Sequence, residues 1–240
     1  MTDIFFENDH ILIRSEYRAP DIHKHLASHM AFCLEGELDC IVNNISLKCR
    51  GIFIKSDVDH TIYAKNGDML IFLFDTTSDM SKRIERQFLK EKDYFLIDAP
   101  LVDQMVCIWD EYGANLKEAD KRILKECGIT ELDEIITDER ILKVLSYLEN
   151  IDSVSGNIMS RLCSEACLSE SRLSHLFKEQ MGIALGRYFV LEKMKKGYIH
   201  FERTGNITEA ALNAGFDSPS HFAATCRRMF GISFSEFIKS

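Results

Sequence analysis

The chain repeats itself near its C-terminal end. At an offset of 49 residues, Asn157, Leu162, Ala166, Ser169, Leu173, Phe177, Lys178, Gly182, Ile183 and Tyr188 are echoed by Asn206, Ala211, Gly215, Ser218, Phe222, Cys226, Arg227, Gly231, Ile232 and Phe237. Apolar matches apolar, base matches base and cap matches cap, the mark of one supersecondary unit used twice. Each unit reads as two short helices across a tight turn. First helices are expected at about 158–166 and 207–214, N-capped by Asn157 and Asn206, with Asn206 and Glu209 forming a capping box. Second helices start from Ser169 and Ser218, with Pro219 where a missing N–H costs nothing, and end towards Gly182 and Gly231. Leu173, Leu176 and Phe177 fall on one face, as do Phe222, Cys226 and Met229. This is the helix-turn-helix layout, whose second helix enters the DNA major groove. Between the units, 185–201 reads as one longer helix carrying Tyr188, Phe189, Leu191, Met194, Tyr198 and Ile199. A rigid helix there fixes the distance between two reading helices, so one chain could address successive major grooves, about 34 Å apart on one face of B-DNA.

These residues carry a resemblance. From about Asp138 to Ser240 the chain resembles the C-terminal DNA-binding domain of the AraC/XylS family of bacterial transcription regulators. Ser169-Glu-Ser-Arg-Leu-Ser-His-Leu-Phe-Lys-Glu-Gln-Met-Gly182 is similar to that family's first recognition helix. Ile207-Thr-Glu-Ala-Ala-Leu-Asn-Ala-Gly-Phe216, followed by Ser218, Phe222, Phe230-Gly-Ile-Ser233 and Phe237, is similar to its second unit. Three positions depart from the pattern: Phe234 where proline is usual, Cys226 for a phenylalanine, and Cys167 where the first turn often has glycine. The first two touch packing and the third touches turn geometry. The resemblance implies that Ser171, Arg172, Ser174, His175 and Lys178 face DNA from the first unit, and Ser218, Ser220, His221, Arg227 and Arg228 from the second. Ser and His suit base edges, while Lys and Arg suit phosphate or guanine. Ala224 occupies a position that can carry a long base-reading side chain, which points to a second unit that mainly grips the backbone.

Charge is divided along the chain. The whole has a formal charge of −9, yet residues 140–240 hold 13 Lys and Arg against 10 Asp and Glu, and the remainder holds 16 against 28. An acidic N-terminal part beside a mildly basic C-terminal one fits a sensor joined to a DNA reader. A surplus this small implies few phosphate contacts and a shallow salt dependence. No apolar run is long enough to span a membrane, and no signal-peptide pattern is present, so a cytoplasmic protein is expected. The eight cysteines include no C-x-x-C pair and read as reduced residues rather than disulfides.

Up to about Asp75 the chain is β-rich. Ile11 to Ile13, Met30 to Leu34, Leu38 to Val42, Gly51 to Lys55 and Met69 to Phe74 have strand length, and Asn43-Asn44 forms a tight hairpin turn with Leu38, Cys40, Val42 and Ile45, Leu47, Cys49 facing one way. Many short strands with turn punctuation imply a small barrel or jelly roll. Within it stand His23, His25, His29 and His60, with Gly36 and Gly51 after the first cluster, a pattern resembling the cupin barrel's metal motif. Here His29 stands in place of a glutamate, and Asp57 and Asp59 in place of proline and glycine. On a regular strand His23, His25 and His29 point to one face, and imidazoles suit zinc, copper, nickel or iron. A polar-lined cavity without metal is the other reading, because sensor barrels of the AraC type commonly bind organic effectors. From Ser78 the chain is expected to turn helical. Leu101, Met105, Ile108, Trp109 and Tyr112 form one apolar stripe, and Met80, Ile84 and Phe88 another. That stripe serves either a dimer contact or the cover of an open barrel side.

The expected architecture is therefore α+β and multidomain. A cupin-like effector- or metal-sensing barrel occupies 1–77, a helical connector with a possible dimerisation role 78–137, and an all-α DNA-binding domain with two helix-turn-helix units 138–240. The function implied is a non-enzymatic transcription regulator that binds double-stranded DNA and a small-molecule or metal effector, as a homodimer. RNA polymerase is a partner if it activates. A divalent transition metal in the barrel is the cofactor that the histidines admit. The competing reading is a metal-dependent cupin enzyme, a dioxygenase or isomerase, fused to a helical module.

Overall fold

A computed structural model describes residues 3–15, 21–64, 67–129, 138–154 and 156–230. Two compact units emerge: Met1–Thr76, Met80–Glu131 and Arg227–Ser240 form one, and Thr77–Asp79 with Leu132–Cys226 the other.

The first unit contains nine described strands: β1 (Asp3–Phe6), β2 (His10–Ser15), β3 (Ser28–Cys33), β4 (Leu38–Val42), β5 (Ile45–Cys49), β6 (Gly51–Ile54), β7 (His60–Ala64), β8 (Met69–Phe74) and β9 (Tyr94–Ile97). They form two antiparallel sheets, of order β1-β2-β8-β3-β6-β9 and β5-β4-β7. Successive side chains alternate in direction along each strand, and the two faces of the six-stranded sheet are used differently. Ala31, Cys33, Ile52, Ile54 and Met69 face inwards and pack with Leu38, Cys40, Val42, Ile62 and Ala64 of the smaller sheet. Met30, Phe32, Phe53, Leu70, Phe72 and Phe74 point the other way, into a second core. The β4–β5 turn is made by Asn43 (φ 47°) and Asn44 (φ 64°), the left-handed pair that a two-residue hairpin needs. Its register pairs Leu38 with Cys49, Cys40 with Leu47 and Val42 with Ile45, as the alternation predicts.

The second core explains residues 78–129. Helix α1 (Asp79–Ile84) runs on as a π-helical turn at Glu85–Leu89, followed by α2 (Ala99–Tyr112) and α3 (Leu116–Glu126). Asp98 and Asn115 cap α2 and α3 by accepting the Leu101 and Glu118 N–H groups. Met80, Ile84, Val102, Met105, Trp109, Ala119, Ile123 and Leu124 close over the sheet's outer face. Full burial of the valine, leucine, isoleucine and methionine side chains among these contributes about 1.5–3 kcal/mol each. Of the α2 stripe, Met105 and Trp109 are thus buried against the sheet, while Leu101, Ile108 and Tyr112 are only partly covered. Nor is this stretch wholly helical, because Tyr94–Ile97 form β9 and pair with β6 at the sheet's edge.

The second unit contains α4 (Glu139–Asn150), α5 (Ile158–Ala166), α6 (Glu170–Met181), α7 (Leu185–Thr204), α8 (Ile207–Asn213) and α9 (Pro219–Phe230), the last ending in the first unit's residues. Helix α4 opens it, capped by Asp138 and burying Ile141, Val144 and Leu148. Among the described residues, no helix is long and apolar enough to cross a membrane. The eight cysteines are free.

Candidate nucleic-acid interface and candidate metal centre

Helices α5 and α6 form the first helix-turn-helix. Leu162 and Ala166 of α5 are buried, as are Leu173, Leu176 and Phe177 of α6. Their turn passes through Cys167 in the left-handed conformation (φ 51°), where a side chain is strained and glycine would be at ease. Ser169 caps α6 by accepting the Arg172 N–H at 3.4 Å, and Gly182 (φ 66°) ends it. Asn157 makes no side-chain cap bond, against the sequence expectation.

Helices α8 and α9 form the second. Asn206 accepts the N–H groups of Thr208 and Glu209 at 3.0 and 3.2 Å. The return arm of the expected capping box is absent: the Asn206 N–H donates to Thr204 Oγ1, and Glu209 leans towards His200. Ser218 accepts the His221 N–H at 3.1 Å, with Pro219 as first helical residue. The turn is clamped from α7, where Lys193 Nζ donates to the Gly215 carbonyl at 2.7 Å and lies 5.5 Å from the Phe216 ring. Partial burial holds the Lys193 ammonium below its usual range. Gly215 adopts φ 93°, and a Cβ there would lie 2.5 Å from the Val154 carbonyl oxygen. Gly197 lets α7 approach the Phe222 ring and Ala214. The 20 residues of α7 span about 30 Å at 1.5 Å per residue.

Of the residues expected to meet DNA, Ser171, Arg172, His175 and Lys178 are exposed and Ser174 is half-buried. In the second helix-turn-helix Ser220, His221, Arg227 and Arg228 are exposed and Ser218 is half-buried. His221 Nδ1 lies 3.0 Å from an Asp217 carboxylate oxygen. The expected matches at Gly231, Ile232 and Phe237, and the departure at Phe234, lie outside the described residues.

The second cluster lies in the first unit. His29, on β3, shares the inward parity of Ala31 and Cys33, and His60, on β7, shares that of Ile62 and Ala64. His23 and His25 do not reach the cluster by strand parity. They precede β3, and His23 is held by an isolated two-way bridge to the His60 backbone, at 3.0 and 2.9 Å. The Asp57 N–H donates to the His25 carbonyl at 2.8 Å. Ring centres lie 4.7 Å apart for His23 and His60, 5.0 Å for His25 and His60, and 4.5 Å for His29 and His60. One nitrogen from each of His23, His25 and His60 falls within 4.8 Å of the others, while His29 stands beside this trio. His25, His29 and His60 are buried and His23 half-buried. Burial, reinforced by neighbouring imidazoles, holds His25 and His29 well below the usual histidine range, and burial takes His60 down to about 4. Those shifts favour the neutral imidazole, the form that ligates a metal, at His25, His29 and His60.

One buried polar centre escaped the sequence reading. His10, fully buried, lies between two carboxylates, with Nδ1 2.8 Å from Asp9 and Nε2 2.9 Å from Asp120. Burial opposes its charge, but Asp120 and Asp9 outweigh burial and hold its pKa well above the usual value. Its signal was a histidine heading the apolar strand His10-Ile-Leu-Ile13; its partner is 110 residues away.

The second unit thus defines a class, a paired helix-turn-helix domain, and the comparisons with known proteins refine it. A family model described as a helix-turn-helix domain matches residues 162–240. The chain is 29% identical over 101 residues to the arabinose operon regulatory protein of Escherichia coli (strain K12), covering 42% of this chain and 35% of that one. It is equally 29% identical over 101 residues to the protein of that name from Salmonella typhimurium, covering 42% and 36%. Residues 162–240 accordingly match a helix-turn-helix domain, and the chain is similar over 101 residues to arabinose operon regulatory proteins. The match spans about a third of the length of these curated relatives. A structure of wild-type ToxT from Vibrio cholerae, with an unsaturated fatty acid bound, superposes with TM-score 0.47 at 11% identity, covering 98% of this chain and 96% of that one. That likeness is too loose to define the fold, which rests on the sheets and helices themselves.

Proposed function

We propose that the chain is a sequence-specific DNA-binding transcription regulator of the AraC family, whose N-terminal barrel binds a small effector or metal ion and thereby alters how the two helix-turn-helix units meet DNA. The observation that carries this reading is the pair of capped units joined by one unbroken 20-residue helix, each with an exposed polar second helix. The 29% identity to arabinose operon regulatory proteins over 101 residues supports it. Ser171, Arg172, Ser174, His175 and Lys178 serve as the first DNA-facing set, and Ser218, Ser220, His221, Arg227 and Arg228 as the second. The switch requires an effector that binds one conformation better than the other. The protein works in the cytoplasm, as a non-enzyme and a homodimer, and meets RNA polymerase where it activates.

The test is selection of bound duplexes from a random pool by the full-length protein, followed by fluorescence anisotropy on the enriched sequence. The expected enrichment is two short motifs centred about one helical turn apart. Arg172→Ala and Arg227→Ala should each weaken binding at least tenfold. Failure to enrich any sequence would overturn the reading.

A further inference from the structure

We infer that His23, His25 and His60, with His29 as fourth imidazole, hold one divalent transition-metal ion of borderline softness, and that the ion fastens residues 21–27 to both sheets of the barrel. This rests on the reading of the barrel as the sensing part of a regulator, and commits it to one effector class.

Tautomers are the first support. The Asp21 and Val58 carbonyls can only accept, so Nδ1 of His23 (2.8 Å) and Nδ1 of His60 (2.7 Å) must donate to them. Both rings then carry their proton on Nδ1 and leave the Nε2 lone pair free, the arrangement by which metal-binding histidines are oriented. The second support is an unmet need. Among the described residues, Nδ1 of His29 is buried without a hydrogen-bond partner, and Nδ1 of His25 has none in good geometry, with only the Ala27 backbone near that ring. Buried polar atoms are rarely left so, because the desolvation is not recovered. Simple packing of four neutral rings leaves that deficit in place, whereas coordination, or reorientation around an ion, removes it.

Distance and chemistry agree. Zinc–nitrogen bonds of about 2.0–2.1 Å place two ligands of a tetrahedral ion about 3.3 Å apart. The trio's nitrogens lie within 4.8 Å of one another, so the rings need to draw in by at most about 1.5 Å, within reach of side-chain rotation. A wholly imidazole set suits zinc, cobalt, nickel or copper and gives magnesium and calcium little to bind. Half-buried His23 offers an entry path. The ligands also come from three places: His29 from the larger sheet, His60 from the smaller, and His23 and His25 from the segment before β3. One ion would tie these together.

The experiment uses tag-free, full-length protein stripped with chelator and dialysed against Zn2+, Co2+ or Mg2+. Uptake of one Zn2+ or Co2+ per chain and no Mg2+ is expected, with at least a tenfold loss of affinity in His25→Ala and in His60→Ala. X-ray absorption of the zinc-loaded unsubstituted protein counts imidazole ligands even if those variants fail to fold, and three or four are expected. No saturable uptake, fewer than three imidazoles, or uptake undiminished in folded variants would overturn the inference. DNA binding by the stripped protein is measured alongside. Sequence-selective binding without any metal uptake sinks the metal site and leaves the regulator reading standing.

Discussion

Replacing His10 by leucine should destabilise the first unit severely, and replacing Asp120 as well should restore much of the loss. His10 is inaccessible and Asp120 is 3% exposed, so removing the imidazole leaves a carboxylate with neither water nor a cation. Breaking a buried pair in this way costs about 3–5 kcal/mol, whereas replacing both partners with apolar groups is often close to neutral. For a body of this size, 1 kcal/mol corresponds to about 2–4 °C in Tm, so His10→Leu should melt roughly 6–20 °C lower. Asp9, 19% exposed at its side chain, keeps some hydration and compensates little. The pH dependence has a fixed sign. Because the folded pKa of His10 is raised, its contribution is complete below the unfolded value of about 6.5 and fades as pH climbs through the folded value. Thermal melts followed by circular dichroism over neutral to alkaline pH, on the two single variants and the double variant, close the cycle. Two results would refute the reasoning: strictly additive losses, or a gap between native protein and His10→Leu that widens towards high pH.

Three further outcomes follow from the second unit. Gly215→Ala forces a Cβ against the Val154 carbonyl at φ 93°, and should cost about 2 kcal/mol or more in urea unfolding while weakening DNA binding. Cys167→Gly relieves a left-handed residue in the first turn and should raise stability by about 1 kcal/mol in the same assay. Lys178→Ala, if Lys178 pairs with phosphate, should weaken binding to all duplexes alike and lower the salt slope by about 1, as read from anisotropy titrations at several salt concentrations.

The second unit was the most legible part of the sequence because local chemistry sets its boundaries. Ser169, Ser218, Pro219, Asn206 and Gly182 act within a turn of where they stand, and each meets its expected position. The Glu209 arm failed because a cap also depends on competing partners, here Thr204 and His200, and nothing in the structure explains why Asn157 makes no cap bond. In the barrel, alternation gave the β4–β5 hairpin and its register. It could not give β9, four residues whose pairing with β6 is non-local and which follow the left-handed Lys90 and Glu91. The histidine cluster was found by its spacing and its likeness to the cupin motif, but strand parity was the wrong reason for half of it. His23 and His25 arrive through a backbone bridge to β7, and the trio they complete with His60 leaves His29 alongside. His10 and Asp120 lie too far apart in sequence for any periodicity to link them.

The continuity of α7 has a bearing on avidity. Two modules joined by a flexible tether gain from each other only in proportion to how often the tether brings the second to its target. Here 20 helical residues, with Gly197 against Phe222 and Lys193 locked onto Gly215, leave little tether to sample. Once the first module docks, the second stands at a set distance, so its effective concentration is high at one spacing and near zero at others. Inserting half a helical turn of DNA between the half-sites should therefore abolish the advantage of having two modules rather than merely diminish it.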